Sequence, residues 1–412
     1  MPSDPPAVAL FNTEKGIGGM QVLVVRMARE LHALGVQCVV FDSAGEFVSE
    51  ELRKSDLPCM QVHQSAKQKK LDTFLPKGCI LVALNTQPSI IAQLLEQRTR
   101  RLLIWDVFPP YWLNGYLSPD IPFVRGWIKR SRWLPLARQR HATYLMESSG
   151  VVFMDETGVE NMQLLTRRKW PDASVVPLPI EAASLPRKMR YLGGGPISCF
   201  YIGRAVLWKV KPLRRLLQDF GCDRDVHWTV VTDSASKFWS LLGLTVAGKL
   251  EVCENVIGAN LSNLILRNAD ICFAMGTSCL EGARLGVPSV LVDFATDQQE
   301  MPPEYGYRWL YEEIGYCLGR DVGHVASVPG MTAAAVISNF RANGEIIGQL
   351  CWDAARGKFA APTVAKNLLR AAQKTRLTMS GYTKAPIYKL AWLGWFLQHA
   401  RSTWKWRRCG GA

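Results

Sequence analysis

The last part of the sequence lacks acidic residues. No aspartate or glutamate follows Asp353, although residues 354–412 contain twelve lysines and arginines. The formal net charge of the chain is +14, so the part before this stretch is nearly neutral. A second acid-free stretch, Ile121–Met146, contains six more basic residues. Two basic segments on a nearly neutral body favour an anionic partner.

Long apolar runs and paired cysteines are also missing. No run reaches the roughly 18 apolar residues that cross a bilayer. The first residues, MPSDPPAVALFN, have no basic region and no long apolar core, so we expect no signal peptide. The eleven cysteines form no Cys-x-x-Cys pair and no zinc-type cluster with histidine. This usage favours reduced thiols in a cytoplasmic protein over a disulfide framework.

What the chain does contain is two series of short apolar runs alternating with helical patterns. A segment with four prolines and a glycine triplet separates the two series. The runs before it are AVALFN, VQCVVFDS, CILVALN, RLLIWDV and GVVFMD, and the runs after it are ISCFYIGR, HWTVVTDS, KLEVCEN, ADICFAM and PSVLVDF. Such alternation predicts an α/β fold with two Rossmann-like domains and a ligand-binding cleft between them. The predicted parts are an N-terminal domain (1–180), a linker (181–195), a C-terminal domain (196–380) and a basic tail (381–412).

The segment MGTSCLEGARLGVPSVLVDF places Gly276, Thr277 and Ser278 directly after a predicted buried strand. Amide groups at the start of a helix attract anions such as phosphates. Glu281 follows one turn later, where its carboxylate could accept hydrogen bonds from ribose hydroxyls. This order is typical of a nucleotide site. The alternative is a Thr or Ser N-cap with a solvated Glu281.

Two further segments carry candidate ligand contacts. In FYIGRAVLWKVKP, Arg204 follows a strand and Lys209 lies near the start of a predicted Pro212–Phe220 helix, so the pair could bind a diphosphate. The alternative is two solvated surface charges. In EKGIGGMQ, Gly18 and Gly19 let the backbone approach a ligand, or form a turn that needs positive φ. The loop is not a Walker motif and fits GxGxxG poorly.

Together these three segments resemble the glycosyltransferases of the GT-B fold, in the glycogen-synthase-like superfamily. GIGGMQVLVVRMARELHALGVQCVVFDS is similar to their first glycine loop and helix, FYIGRAVLWKVKPLRRLL to their "GR…K" segment, and GTSCLEGARLGVPSVLVD to their "E-x4-G-x-P-x-V" segment. The resemblance spans about residues 7–295. It implies donor-diphosphate contacts for Arg204 and Lys209, a donor-ribose contact for Glu281, and no metal or other cofactor.

The sequence departs from the pattern of these enzymes at two positions. Phe273 stands where their paired-glutamate motif has its first acid, so the segment is closer to the single-glutamate form of MurG-like transferases. The frequent histidine after the fourth strand is missing, and Trp105-Asp106 stands there instead. Asp106 is a candidate general base for the acceptor hydroxyl, or else a turn or capping residue. Asp155 and Asp233 are weaker candidates of the same kind.

The basic segments also contain tryptophans, which prefer the membrane interface. The candidate contacts with an anionic membrane surface are Arg125, Lys129, Arg132, Trp392, Trp395, Arg407 and Arg408. The apolar block of the tail is too short to span a bilayer, so it would lie in the interface. Core packing of some tryptophans is the alternative. Nucleic acid is the rival anion, but no nucleic-acid-binding signature is present.

These observations predict a transferase that moves a sugar from a nucleotide-sugar donor to a lipid-linked or glycan acceptor. The expected setting is bacterial polysaccharide or lipopolysaccharide synthesis, with the protein cytoplasmic and peripheral on the inner face of the cell membrane. Two alternatives stay open: a sugar-nucleotide epimerase of the same fold, and a non-catalytic scaffold.

Overall fold

The computed structural model describes residues 7–12, 18–43, 46–62, 74–84, 99–107, 133–181, 195–221, 225–243, 250–296, 299–322 and 330–384. The strands are β1 (Val8–Phe11), β2 (Cys38–Ser43), β3 (Cys59–Val62), β4 (Ile80–Leu84), β5 (Leu102–Asp106), β6 (Val151–Phe153), β7 (Ile197–Ile202), β8 (Val226–Thr232), β9 (Leu250–Glu254), β10 (Ile271–Ala274), β11 (Ser289–Leu291) and β12 (Arg308–Trp309). The helices are α1 (Gly19–Ala33), α2 (Phe47–Lys54), α3 (Trp133–Glu147), α4 (Glu156–Thr166), α5 (Leu207–Phe220), α6 (Ala235–Leu242), α7 (Gly258–Asn268), α8 (Thr277–Ala283), α9 (Ala333–Phe359), α10 (Ala361–Lys374) and α11 (Met379–Lys384).

These elements form two compact units. The first comprises residues 1–177 together with 362–412, and the second comprises 178–361. The chain therefore leaves the first unit after Pro177 and returns to it at Pro362, eighteen residues before the end that the sequence pattern suggested for the C-terminal domain.

The sheet of the first unit is parallel, with the strand order β3-β2-β1-β4-β5-β6. This is the order of dinucleotide-binding folds, and it reverses direction between β1 and β4. Strands β4 and β5 are buried along their whole length. Parallel strands covered by helices on both faces need continuous apolar runs, which is why runs such as CILVALN and RLLIWDV predicted them.

The C-terminal return of the chain is fixed to β5 by backbone contacts. The Leu102 amide donates to the Leu377 carbonyl over 2.9 Å, and the Thr375 hydroxyl donates to the Leu102 carbonyl over 2.8 Å. Arg101 and Thr378 form an isolated antiparallel bridge. Leu377, Met379 and Tyr382 are buried in the core of the first unit, so these residues belong to it structurally.

The sheet of the second unit has the order β12-β11-β10-β7-β8-β9. Its first five strands in the chain are parallel and repeat the connectivity of the first unit, whereas β12 is antiparallel to β11. Aromatic rings fill its core: the ring of Phe220 lies 4.9 Å from Phe273 and 5.0 Å from Tyr307, between ring centroids.

One helix begins earlier than its sequence predicted. Proline favours the first helical turn, so the predicted helix began at Pro212. The structure begins α5 at Leu207 and places Pro212 inside the helix. Lys209 consequently lies in the first turn of α5. Among the described residues, no helix combines the length and apolar character needed to cross a membrane.

Candidate functional site

The candidate site lies where the strand order of the second unit reverses. β7 and β10 pair in the middle of the sheet, with Ile202 beside Ala274. The next strand in the chain after β7 is β8, which pairs on the other edge of β7, whereas β11 follows β10 and pairs on the opposite side of the sheet. Parallel α/β sheets bind ligands at this point, beyond the carboxyl ends of the strands. The loops that begin after Ile202 and Ala274 therefore start side by side.

The loop after β7 presents Arg204. The Gly203 amide donates to the Val231 carbonyl over 3.0 Å, and the Ala205 amide donates to the Asp233 carboxylate over 2.6 Å. These two bonds tie the loop to β8 and to the residue that follows it. The Arg204 side chain is exposed, as a ligand contact at this place requires.

Lys209 lies in the same neighbourhood, with its ammonium 5.2 Å from the centroid of the Trp208 ring. Desolvation, followed by the positive charge of Arg204, lowers the pKa of Lys209 to about 8, while Asp233 acts in the opposite direction. The structure thus brings Arg204, Lys209 and Asp233 within electrostatic range of one another. Such a perturbed cation at a strand-order reversal is typical of a functional site.

The loop after β10 begins α8. Gly276 is the N-cap residue, with a φ of 64°, so the Thr or Ser N-cap considered from the sequence is wrong. A positive φ favours glycine over residues with a Cβ. The Gly276 amide donates to the Leu318 carbonyl over 2.6 Å, so that donor is engaged within the protein. Thr277 and Ser278 are the first two helical residues and are partly exposed.

Glu281 lies one turn further along α8. Its carboxylate accepts a hydrogen bond from Arg284 over 2.7 Å, and the Glu281 side chain is only 15% exposed. The alternative of a solvated glutamate is therefore wrong. Burial, followed by the charge of the nearby Glu281, raises the pKa of the Cys272 thiol on β10 to about 12.

The three candidate aspartates have different surroundings. Asp106 lies at the carboxyl end of β5 in the first unit and is 2% exposed. Asp155 caps α4, because its side chain accepts from the Gly158 amide over 3.1 Å. Asp233 holds the Ala205 amide. Asp155 and Asp233 thus have local structural roles, and the assignment of Asp106 as a base stays a prediction.

Replacing Asp155 by asparagine should stabilise the first unit at pH 7 by about 2–3 kcal/mol. Burial is the main cause that raises the pKa of Asp155 from 3.8 to about 6, against the hydrogen bond from Gly158. A raised carboxyl pKa gives stability that is fully present below about pH 4 and is lost as the pH rises through about 6. Asparagine caps helices equally well without a charge. Hydrogen exchange of first-unit amides at pH 4 and pH 7 measures the effect.

The control for this prediction is Asp155→Ala, which removes the cap and should destabilise the unit by about 1 kcal/mol at pH 4. A difference between Asp155→Asn and the wild type that is the same at both pH values would contradict the assignment.

Gly18 and Gly19 lie at the start of α1, after β1 in the first unit. Gly18 is the N-cap residue in an extended conformation, and Gly19 is the first helical residue. Neither has a positive φ, so the turn that would require it is not formed by these two glycines.

All of the predicted membrane contacts lie outside the described residues. They are Arg125, Lys129, Arg132, Trp392, Trp395, Arg407 and Arg408.

One group beside the site was missed by the sequence analysis. Arg308 donates two hydrogen bonds of 2.8 Å to Asp293, which follows β11, and one of 3.1 Å to Glu313. Arg320 donates to Glu313 over 2.9 Å, and its amide donates to Asp293 over 2.8 Å. This network holds the loop whose Leu318 carbonyl accepts from Gly276. The network's one signal in the sequence is the aspartate that directly follows the apolar run PSVLV.

No group of three or more His, Cys, Asp or Glu side chains among the described residues could hold a metal ion.

We compared the sequence and the structure with those of known proteins. The sequence matches no protein-family model and no curated protein. The structure is similar to that of a glycosyltransferase from Rickettsia africae, with a TM-score of 0.57 at 13% identity over 90% of this chain and 98% of that one. The chain has the GT-B fold.

Two other structures share the GT-B fold with this chain. Anabaena HepE, determined with UDP and glucose, gives a TM-score of 0.54 at 12% identity over 89% of this chain and 98% of that one. S. aureus TarM, determined with fondaparinux, alpha-GlcNAc-glycerol and UDP, gives 0.52 at 8% identity over 89% and 99%. At these identities the likeness concerns the fold. It confirms the fold class that the sequence predicted.

Proposed function

We propose that this protein transfers a glycosyl unit from a nucleotide-sugar donor to a lipid-linked or glycan acceptor. The observation that carries the proposal is the register of Ile202 beside Ala274, which starts the Arg204 loop and the Gly276 turn next to each other. In addition, structural neighbours of the chain are glycosyltransferases, and HepE and TarM were determined with UDP.

The donor diphosphate would bind to the second unit. Arg204 supplies a planar group with several donors, and Lys209 supplies a compact charge. When the bond between the sugar and the diphosphate breaks, negative charge builds up on the departing nucleoside diphosphate. Cations that are already in place stabilise this charge without reorganisation. Amides of Thr277 and Ser278 would add to this field, and the Glu281 carboxylate would accept from the ribose.

The remaining roles belong to the first unit. The Gly18-Gly19 segment follows β1, where the strand order of that unit reverses, so it would approach the donor or the acceptor. Asp106 would serve as general base if the acceptor hydroxyl reaches its carboxylate.

The acceptor would be presented at the inner face of the cell membrane, in bacterial cell-surface polysaccharide or lipopolysaccharide synthesis. Support comes from the acid-free C-terminal stretch. Within its described part, α10 buries most of its apolar residues and exposes Lys366, Arg370 and Lys374, which are spaced four residues apart on one helical face. Each such cation near an anionic surface contributes about 1 kcal/mol.

An assay with radiolabelled UDP-, GDP- and ADP-sugars tests the transfer itself. The full-length protein is incubated with each donor and a bacterial membrane extract. We expect release of one nucleoside diphosphate and transfer of the label to an extractable lipid or glycan. Interconversion of donors without labelled product would indicate an epimerase, and the absence of any reaction would favour a scaffold. Either outcome would contradict the proposal.

Sedimentation with vesicles tests the membrane part separately. The full chain should sediment with phosphatidylglycerol vesicles and much less with phosphatidylcholine vesicles. A chain that ends at Lys384 should lose most of this binding. Equal sedimentation of both chains would contradict a role for the tail.

A further inference from the structure

Glu281 and Arg284 form an ion pair on one face of α8. They are three residues apart, which makes them neighbours on a helix surface. The Arg284 Nε donates to the Glu281 Oε2 over 2.7 Å, and the two side chains are 15% and 16% exposed. The pair is therefore far less screened by water than a typical surface ion pair.

Arg284 is also held from outside α8. Its second nitrogen, Nη2, donates to the hydroxyl oxygen of Ser262 on α7 over 2.6 Å. Because the guanidinium is planar and its donors have fixed directions, two partners define its orientation. The guanidinium in turn defines the position of the Glu281 carboxylate. A carboxylate has about four acceptor positions, so it can accept from Arg284 and also from a ligand hydroxyl group.

The positive charge of Arg284 also affects how the site around Glu281 would bind a diphosphate. A glutamate beside a diphosphate site repels the ligand, because both are negative. A guanidinium in contact with that glutamate offsets the repulsion while the carboxylate still accepts hydrogen bonds. Arg284 lies at the C-terminal end of α8, so a cation there is also favourable for the helix.

We propose that Arg284 is a positioning residue for ribose recognition: anchored on Ser262, it fixes the Glu281 carboxylate so that it accepts a hydrogen bond from a ribose hydroxyl of the donor nucleotide. This inference rests on the proposed function and adds to it the residue that sets specificity for ribose over 2′-deoxyribose.

Titration calorimetry with the full chain tests the inference. UDP, GDP and ADP are titrated first, and the tightest binder is then compared with its 2′-deoxy form. We expect the wild type to bind the ribo form about tenfold or more tightly, because a site built to bind a hydroxyl rejects a ligand that lacks it. Arg284→Gln should reduce this ratio to about threefold or less. Arg284→Lys keeps the charge and should retain most of the affinity for the ribo form.

Two further variants make the outcomes distinguishable. Arg267→Gln removes an exposed cation from the last turn of α7 and should leave both affinities unchanged. Glu281→Gln should lower the ratio as Arg284→Gln does. If Glu281→Gln lowers the ratio but Arg284→Gln leaves it at the wild-type value, the positioning role of Arg284 is wrong. If no nucleoside diphosphate binds to the wild type, the proposed function fails before Arg284 is tested.

Discussion

Replacing Arg308 by alanine should lower the free energy of unfolding of the second unit by about 3–5 kcal/mol. The side chains of Arg308 and Asp293 are 7% and 3% exposed, and Glu313 is 7% exposed. Without the guanidinium, the buried Asp293 carboxylate loses its charged partner, and the buried Glu313 carboxylate keeps the bonds from Arg320. Burial alone would lower the pKa of Arg308, but the hydrogen bonds and charge of Asp293 raise it overall. Hydrogen exchange of amides in β7 and β10 measures the loss.

Two comparisons make this prediction specific. Arg168→Ala removes an ion pair with Glu147 whose partners are more than half exposed, and it should cost about 1 kcal/mol or less. Adding Asp293→Asn to Arg308→Ala should recover about 1 kcal/mol or more, because it removes the buried charge that has lost its guanidinium partner. A loss of less than about 1 kcal/mol for Arg308→Ala would contradict the buried network.

Replacing Arg204 and Lys209 together by glutamine should lower the affinity for the donor's nucleoside diphosphate by about a thousandfold. Each charge-assisted hydrogen bond contributes about 1.5–3 kcal/mol, which corresponds to roughly 10–100-fold for each residue. Both side chains lie beside the strand-order reversal of the second unit. Besides desolvation, the positive charge of Arg204 is one cause that lowers the pKa of Lys209, so a dianionic ligand would relieve the repulsion between the two cations. Titration calorimetry with UDP, GDP and ADP measures the change.

The control for this pair is Arg341→Gln, which removes an exposed cation from α9. Its affinity should equal that of the wild type within a factor of about two. Equal affinities of the double variant and the wild type would remove the basis of the proposed function.

The affinity of the wild type for the nucleoside diphosphate should also fall by about tenfold between pH 7 and pH 9. The pKa of Lys209 is lowered to about 8, so this ammonium is mostly charged at pH 7 and mostly neutral at pH 9. Arginine stays charged throughout this range, so Lys209→Arg should hold its affinity. A wild-type affinity that is constant up to pH 9 would contradict a contact between Lys209 and the ligand.

The strands were the part of the fold that local sequence predicted well. Runs such as AVALFN and ADICFAM became β1 and β10, because strands covered on both faces bury their side chains and are therefore mostly apolar. β3 was missed, since CMQV is short and contains a glutamine. The predicted start of α5 was wrong, because the helix begins at Leu207 and has Pro212 in its interior. The first turn of α5 is held to β7 by the Tyr201 hydroxyl, which donates to the Lys209 carbonyl over 2.7 Å.

The sequence also predicted only part of the candidate site. Sequence position alone put Arg204 and Gly276 after strands, and both lie in strand-end loops of the structure. That these loops start side by side follows from the pairing of β7 with β10, which brings together residues about seventy positions apart in the chain. Sequence spacing cannot supply this, since it depends on which strand edges pair.

The sequence by itself determined that this protein is an α/β chain of two similar halves, with basic segments and glycine-containing loops after its strands. Its residue types and their order were sufficient, because local burial patterns and backbone preferences act over a few residues. Only the tertiary structure decided the partners: Ser262 for Arg284, Asp233 for the Ala205 amide, and Leu318 for the Gly276 amide. These bonds join distant parts of the chain, and only the sheet order and its packing bring the bonded groups within hydrogen-bonding distance.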